Sequence, residues 1–139
     1  MAIFGFNLNK ILIEKEEGKK LEKVEVSTRI KVTSIKKEDV EIAKGKDVLK
    51  LSFDFGLDYK PDLAVIEFKG HVLILEEPAE AKKILEEWKK EKMNDNLKIA
   101  VYNIIWEKCN VKALELEEDF NLPHHIPLGR VSLDKKESK

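Results

Sequence analysis

"HVLILEEPAEAKKILEEW", residues 71–88, changes its hydrophobic rhythm at one proline. Before Pro78, Val72 and Ile74 recur every second residue, the spacing of a strand with one buried face. After it, Ala81, Ile84, Leu85 and Trp88 recur at i, i+3, i+4 and i+7, one stripe of a helix. Pro78 suits a first helical turn, where its missing N–H leaves no bond unmade. Glu76, Glu77 and Glu80 gather at the start and Lys89, Lys90 and Lys92 near the end, complementing the helix dipole. The chain reads as strands before this switch and as helices after it. That order predicts an α+β fold: a four-stranded antiparallel sheet with two C-terminal helices packed on one face.

Toward the N-terminus the strands run as follows. The fourth spans Leu63 to Glu76, with Ala64, Ile66, Phe68, Val72 and Ile74 in phase, and Gly70 marks a bulge or a close backbone approach. The third puts Leu49, Leu51, Phe53, Phe55, Leu57 and Tyr59 on one face, and "YKPD" then turns the chain. In the second, Val24, Val26, Thr28, Ile30 and Val32 alternate with Glu25, Ser27, Arg29 and Lys31, so one face is dry and the other wet. "KEDVEIAKGKD" is a polar connection with room for a short strand at Val40 and Ile42. In the first strand Phe4, Phe6 and Leu8 share a face, and Ile11 and Ile13 then carry the pattern. That slip predicts a bulge near Asn9–Lys10. "EEGK" supplies a turn at Gly18.

Toward the C-terminus, "MNDN" interrupts the helical pattern, and Asp95 or Asn96 is placed to cap a second helix from Leu97 to Phe120. This helix carries two apolar stripes. Leu97, Ala100, Val101, Ile104 and Val111 form one; Tyr102, Ile105, Trp106, Cys109, Ala113 and Leu116 form the other. A helix on one sheet needs one stripe. The second implies another subunit, so Tyr102, Ile105, Trp106, Cys109 and Ala113 are expected at an oligomer interface, most simply in a dimer or a dimer of dimers. Pro123 and Pro127 are expected to end this helix and hold an extended return, with Ile126 and Leu128 packed beneath it.

The 139 residues fit one domain, read here as 1–134 with a loose tail at 135–139. Charged residues make up 38%, against a usual level of about 25%, but the net charge is only −1 because Lys and Glu alternate at short range. Nucleic-acid binding needs clustered positive charge, so it is not expected. The single cysteine allows no internal disulfide and suits a reducing compartment. No apolar run approaches the roughly 18–20 residues of a membrane span, and the start lacks the pattern of a signal peptide. A cytoplasmic protein is expected.

Motifs for chemistry are sparse. His124 and His125 are adjacent, Cys109 lies far back on a helix, and His71 lies in a strand, without the spacing of a zinc site. The two histidines read as partly exposed polar residues, and a metal-dependent enzyme using His124, His125 and Cys109 is the least favoured alternative. Cys109 on an apolar helix face reads as a small buried hydrophobe. Glu117–Glu118 reads as solvated charge. No phosphate-binding glycine loop is present. Neither catalysis nor a cofactor is expected. A small sheet-plus-helix domain can leave an apolar groove for extended peptide, and Phe53, Phe55, Tyr59, Trp88 and Met93 are expected to supply its exposed surface.

"FNLNKILIEK" (6–15), "AVIEFKG" (64–70) and "LPHHIPLGRVSLD" (122–134), in this order on one small chain, resemble segments of the SecB family of export chaperones. The resemblance spans about residues 3 to 134. It implies a homotetramer without nucleotide or metal that holds unfolded polypeptides, preproteins or antitoxins in apolar grooves. It also implies a partner contact at Val65 and Glu67, on an acidic sheet face. The partner would be a secretion component or a toxin–antitoxin pair. A single dedicated partner on the same fold is the alternative. The chain departs from the bacterial chaperones in its near-neutral charge and short C-terminal end.

Overall fold

The computed structural model describes residues 1–18, 23–40, 42, 44–129, 131 and 133. Its elements are β1 (Ala2–Lys15), β2 (Glu25–Glu38), β3 (Asp47–Lys60), β4 (Ala64–Glu76), α1 (Pro78–Trp88) and α2 (Asp95–Asp119). The strands form one antiparallel sheet in the order β1-β4-β3-β2. β3 and β4 are central, and their alternating apolar residues are almost fully buried under the helices. Phe55 stacks on Phe68 across the strand pair (5.7 Å between centroids), and Phe6 stacks on Phe53 (5.4 Å). Such pairs add about 0.5–1.5 kcal/mol each to simple burial. No described helix is long and apolar enough to cross a membrane. The segment 135–139 lies outside the described residues.

Bulges set the register of both edge strands. On β1 the predicted slip occurs between Leu8 and Lys10, opposite Gly70. There a Cβ on Gly70 would stand 2.1 Å from the Asn7 carbonyl oxygen, so only glycine admits the close approach. Two further bulges were not expected. Phe4 is the extra residue between Ile3 and Gly5, so Ile3 and Phe6, not Phe4 and Phe6, share the core face. Thr33 is the extra residue between Val32 and Ser34, which carries β2 on to Glu38 and puts Ile35 in the core. At the short strand expected around Val40 and Ile42, neither of these two residues is in a strand and both side chains are exposed; residues 41 and 43 lie outside the described residues.

Both helices end in the same backbone motif. At α1, Glu91 takes a left-handed φ of 57° and the Lys92 N–H returns to the Glu87 carbonyl (3.1 Å). At α2, Asn121 takes φ 52° and the Leu122 N–H returns to the Glu117 carbonyl (2.8 Å). This left-handed cap satisfies the last carbonyls, and at α2 it turns the following Leu122 inward. Asn121, not the prolines, therefore ends α2, and Leu122, not Leu128, packs beneath it; Leu128 is exposed. At the other end, Asn94 caps the helix by accepting from the Leu97 N–H (2.8 Å), in place of the expected Asp95 or Asn96.

α2 crosses the sheet obliquely. The Val32 N–H on edge strand β2 donates to the Tyr102 hydroxyl (3.4 Å), and Lys15 on the opposite edge strand donates to the Phe120 carbonyl (2.7 Å). Its buried stripe is Leu97, Val101, Ile105, Cys109, Ala113 and Glu117, a strict i+4 series. Each i+4 step overshoots a full turn by about 40°, so the contact line winds around the helix as it traverses the sheet. The stripe thus takes members from both predicted stripes. Ile105, Cys109 and Ala113, expected at an oligomer interface, lie in the chain's own core. The unburied apolar surface belongs to Ile99, Trp106 and Val111, which are 61%, 43% and 59% exposed.

Candidate functional site

A groove of about 610 Å³ runs between the free edge of β2 and the α1–α2 connection. The helical stripe of α1 carries Trp88 to its last turn, and the left-handed turn at Glu91 delivers Lys92 and Met93 beside it. The first turns of α2 add Lys98 and Tyr102, with the Lys98 ammonium 5.9 Å from the Tyr102 ring centre. β2 closes the groove with Lys31, Val32 and the bulged Thr33. The outer edge of β2 pairs with no other strand among the described residues. An open strand edge beside aromatic and thioether side chains is a surface on which an extended peptide can lie.

Of the residues expected to form such a surface, Trp88 and Met93 are half-buried and line this groove. Phe53, Phe55 and Tyr59 do not reach it. They lie on the central strand beneath the helices, each no more than 1% exposed. Their face was legible, but a central strand offers no residue of that face to solvent. Tyr102, expected at a subunit interface, lines the groove instead.

A second constellation ties the C-terminal segment to α2. The Glu117 carboxylate is fully buried and accepts from the Tyr59 hydroxyl, the His125 backbone N–H (3.0 Å) and the His125 Nδ1–H (2.9 Å). His125 Nε2 lies 2.8 Å from Asn110 Oδ1. The imidazole is only 1% exposed, so His125 is a buried network residue and not a solvated one. His124 stays at the surface beside Glu118 (3.2 Å). Glu117 ends the i+4 series from Leu97, which separates it from the solvated Glu118. That spacing was the sequence signal for a buried acid.

Burial, and then the hydrogen bond to Glu117, push the Tyr59 hydroxyl far above the usual phenol range. Burial pushes the Cys109 thiol up to about 12, leaving it a neutral core group. No three of His, Cys, Asp and Glu converge as a metal would require among the described residues, and His125 and Cys109 are engaged elsewhere. The hydrogen bonds of His125 to Glu117 and Asn110 tie the C-terminal segment to α2.

The outer sheet face, away from the helices, carries Val65 and Glu67. It is not an acidic patch. Asp58 pairs with Arg29 (2.6 Å), Glu67 with Lys10 (3.7 Å) and Asp54 with Lys69 (3.8 Å). The Arg29 side chain lies across Gly56, where a Cβ would collide with the guanidinium. On the same face, His71 sits between Asn7 (3.3 Å) and Asn9 (3.2 Å); burial and the charge of Lys50 lower its pKa.

The Mycobacterium tuberculosis Rv1957 SecB-like chaperone, in complex with a ChAD peptide from the Rv1956 HigA1 antitoxin, aligns at a TM-score of 0.53 and 16% sequence identity. The alignment covers 95% of this chain and 91% of that one. The chain has a SecB-like fold. No protein-family model matches the sequence, and no curated protein matches it. With 95% of this chain covered, the likeness takes in nearly all of its four strands and two helices.

Proposed function

We propose that this protein is an ATP-independent, non-catalytic chaperone of the SecB-like kind, which holds extended unfolded segments of client proteins. The observation that carries the reading is the groove at the free edge of β2, lined by Trp88, Met93 and Tyr102. The likeness to a chaperone in complex with an antitoxin peptide supports it. The working form is a cytoplasmic homo-oligomer, a tetramer by analogy, in which subunits cover Ile99, Trp106 and Val111. Several grooves on one assembly would act on one client chain, and weak contacts add through effective concentration. Burying client side chains at roughly 25 cal/mol per Å² supplies the attraction, less the cost of ordering the client. Neither nucleotide nor metal takes part.

A second reading, service to one dedicated partner such as an antitoxin, draws on the outer face. Its charges are mutually paired, so it offers no acidic surface for a secretion component. The test is suppression of light scattering by a chemically denatured client diluted into buffer without nucleotide. Sub-stoichiometric to stoichiometric protein is expected to suppress aggregation, and Trp88→Ala with Met93→Ala to weaken the effect. No effect at molar excess would refute the reading. Capture of one partner in place of many clients would favour the dedicated form.

A further inference from the structure

Resting on that reading, we propose that the groove selects extended client segments in which a carboxylate lies beside aromatic or aliphatic residues. Its apolar floor is rimmed by Lys31, Lys92 and Lys98, with Glu91 the only acidic lining residue. None of the three ammoniums has a carboxylate within ion-pair distance among the described residues, whereas Asp54, Asp58 and Glu67 on the outer face are each paired. The groove therefore holds a local excess of positive charge on a chain whose net charge is −1. Lys92 on the inter-helix turn and Lys98 in the first turns of α2 flank the groove on the helix side, and Lys31 stands at the strand edge, in the outer-face phase opposite Asp54.

Lysine stems are apolar and their heads mobile. Such a rim can cover the aromatic floor in the free state and turn its ammoniums onto a client's carboxylates when the floor is filled. A basic client segment would meet the same charges at close range and be repelled. Charge at a groove rim acts mainly on partner choice and association rate, while apolar burial supplies most of the affinity. The preference is accordingly for acid next to apolar residues, and an acidic segment without them is expected to bind poorly.

The test uses three labelled peptides of one length with the same aromatic and aliphatic residues, differing only in flanking residues: Asp/Glu, Ser/Gln, or Lys/Arg. Fluorescence anisotropy is read on the oligomer as purified. The acidic peptide is expected to bind about tenfold more tightly than the basic one at low salt, with the gap closing in 0.5 M salt. The triple variant Lys31→Glu, Lys92→Glu, Lys98→Glu is expected to invert the order of the acidic and basic peptides. Lys→Gln at the same sites should abolish the preference without inverting it. Equal binding of all three peptides, or a preference for the basic one, would overturn this inference and leave the chaperone reading standing. Failure of the neutral peptide to bind as well would overturn both.

Discussion

His125 is the residue whose environment departs furthest from its sequence context. Next to His124, in a proline-bracketed segment after a helix, it looks like a surface residue. In the fold it fills the space above Glu117 and supplies two of that carboxylate's three hydrogen bonds. His125→Ala keeps the backbone N–H but removes the imidazole donor from a buried carboxyl group, so it is expected to cost about 1–3 kcal/mol in urea unfolding. His124→Ala, whose pair with Glu118 is solvent-exposed, should change stability by under about 0.5 kcal/mol. The same contrast applies to two glycines. Gly70→Ala drives a Cβ into the Asn7 backbone, whereas Gly56→Ala meets only the movable end of Arg29. The first is expected to lose roughly 1–3 kcal/mol and the second clearly less, read from thermal or urea transitions.

At the scale of elements, the type and order of all six were legible because each has a strong period. The bulge at Asn9 was legible because the apolar phase visibly slips there. The bulge at Thr33 was equally encoded, in the three-residue step from Val32 to Ile35, but the loop-like composition that follows masks it. The bulge at Phe4 leaves no such mark. Phe4, Phe6 and Leu8 alternate without fault, and only pairing to β4 decides that Ile3 takes the core position. On α2 the burial line winds, so no fixed pair of stripes describes it. The core thread is the i+4 series through Cys109, and this gives the helix a chemical reporter. A buried thiol raised to about 12 should react with a disulfide reagent at pH 8 only as fast as the native protein opens, and promptly in denaturant. The unfolded chain releases this proton near pH 9, while the folded chain holds it to about pH 12. The thiol's contribution is therefore complete below about pH 9 and is lost as pH climbs toward 12. Cys109→Ala should flatten that part of the alkaline stability profile; the Tyr59 share, of the same sign, remains.

For the molecule as a whole, surface chemistry separates two uses of apolar residues that the sequence presents in one helix. Ile105, Cys109 and Ala113 have no exposed surface and hold α2 to its own sheet, whereas Ile99, Trp106 and Val111 stand outside that packing. If subunits cover the second group, a charge placed there should break the assembly and spare the fold. Trp106→Glu with Val111→Glu is expected to shift the protein to a smaller species by light scattering after size exclusion, with its circular dichroism and urea midpoint for the subunit largely kept. Ile105→Glu should abolish folding, because it buries an unpaired carboxylate in the core. A smaller species that still binds a single short peptide but no longer suppresses aggregation would place the holding activity in the combination of grooves, since one groove of about 610 Å³ can engage only a few client side chains at a time. An assembly unchanged by Trp106→Glu and Val111→Glu would show that α2's outward face is not its subunit contact.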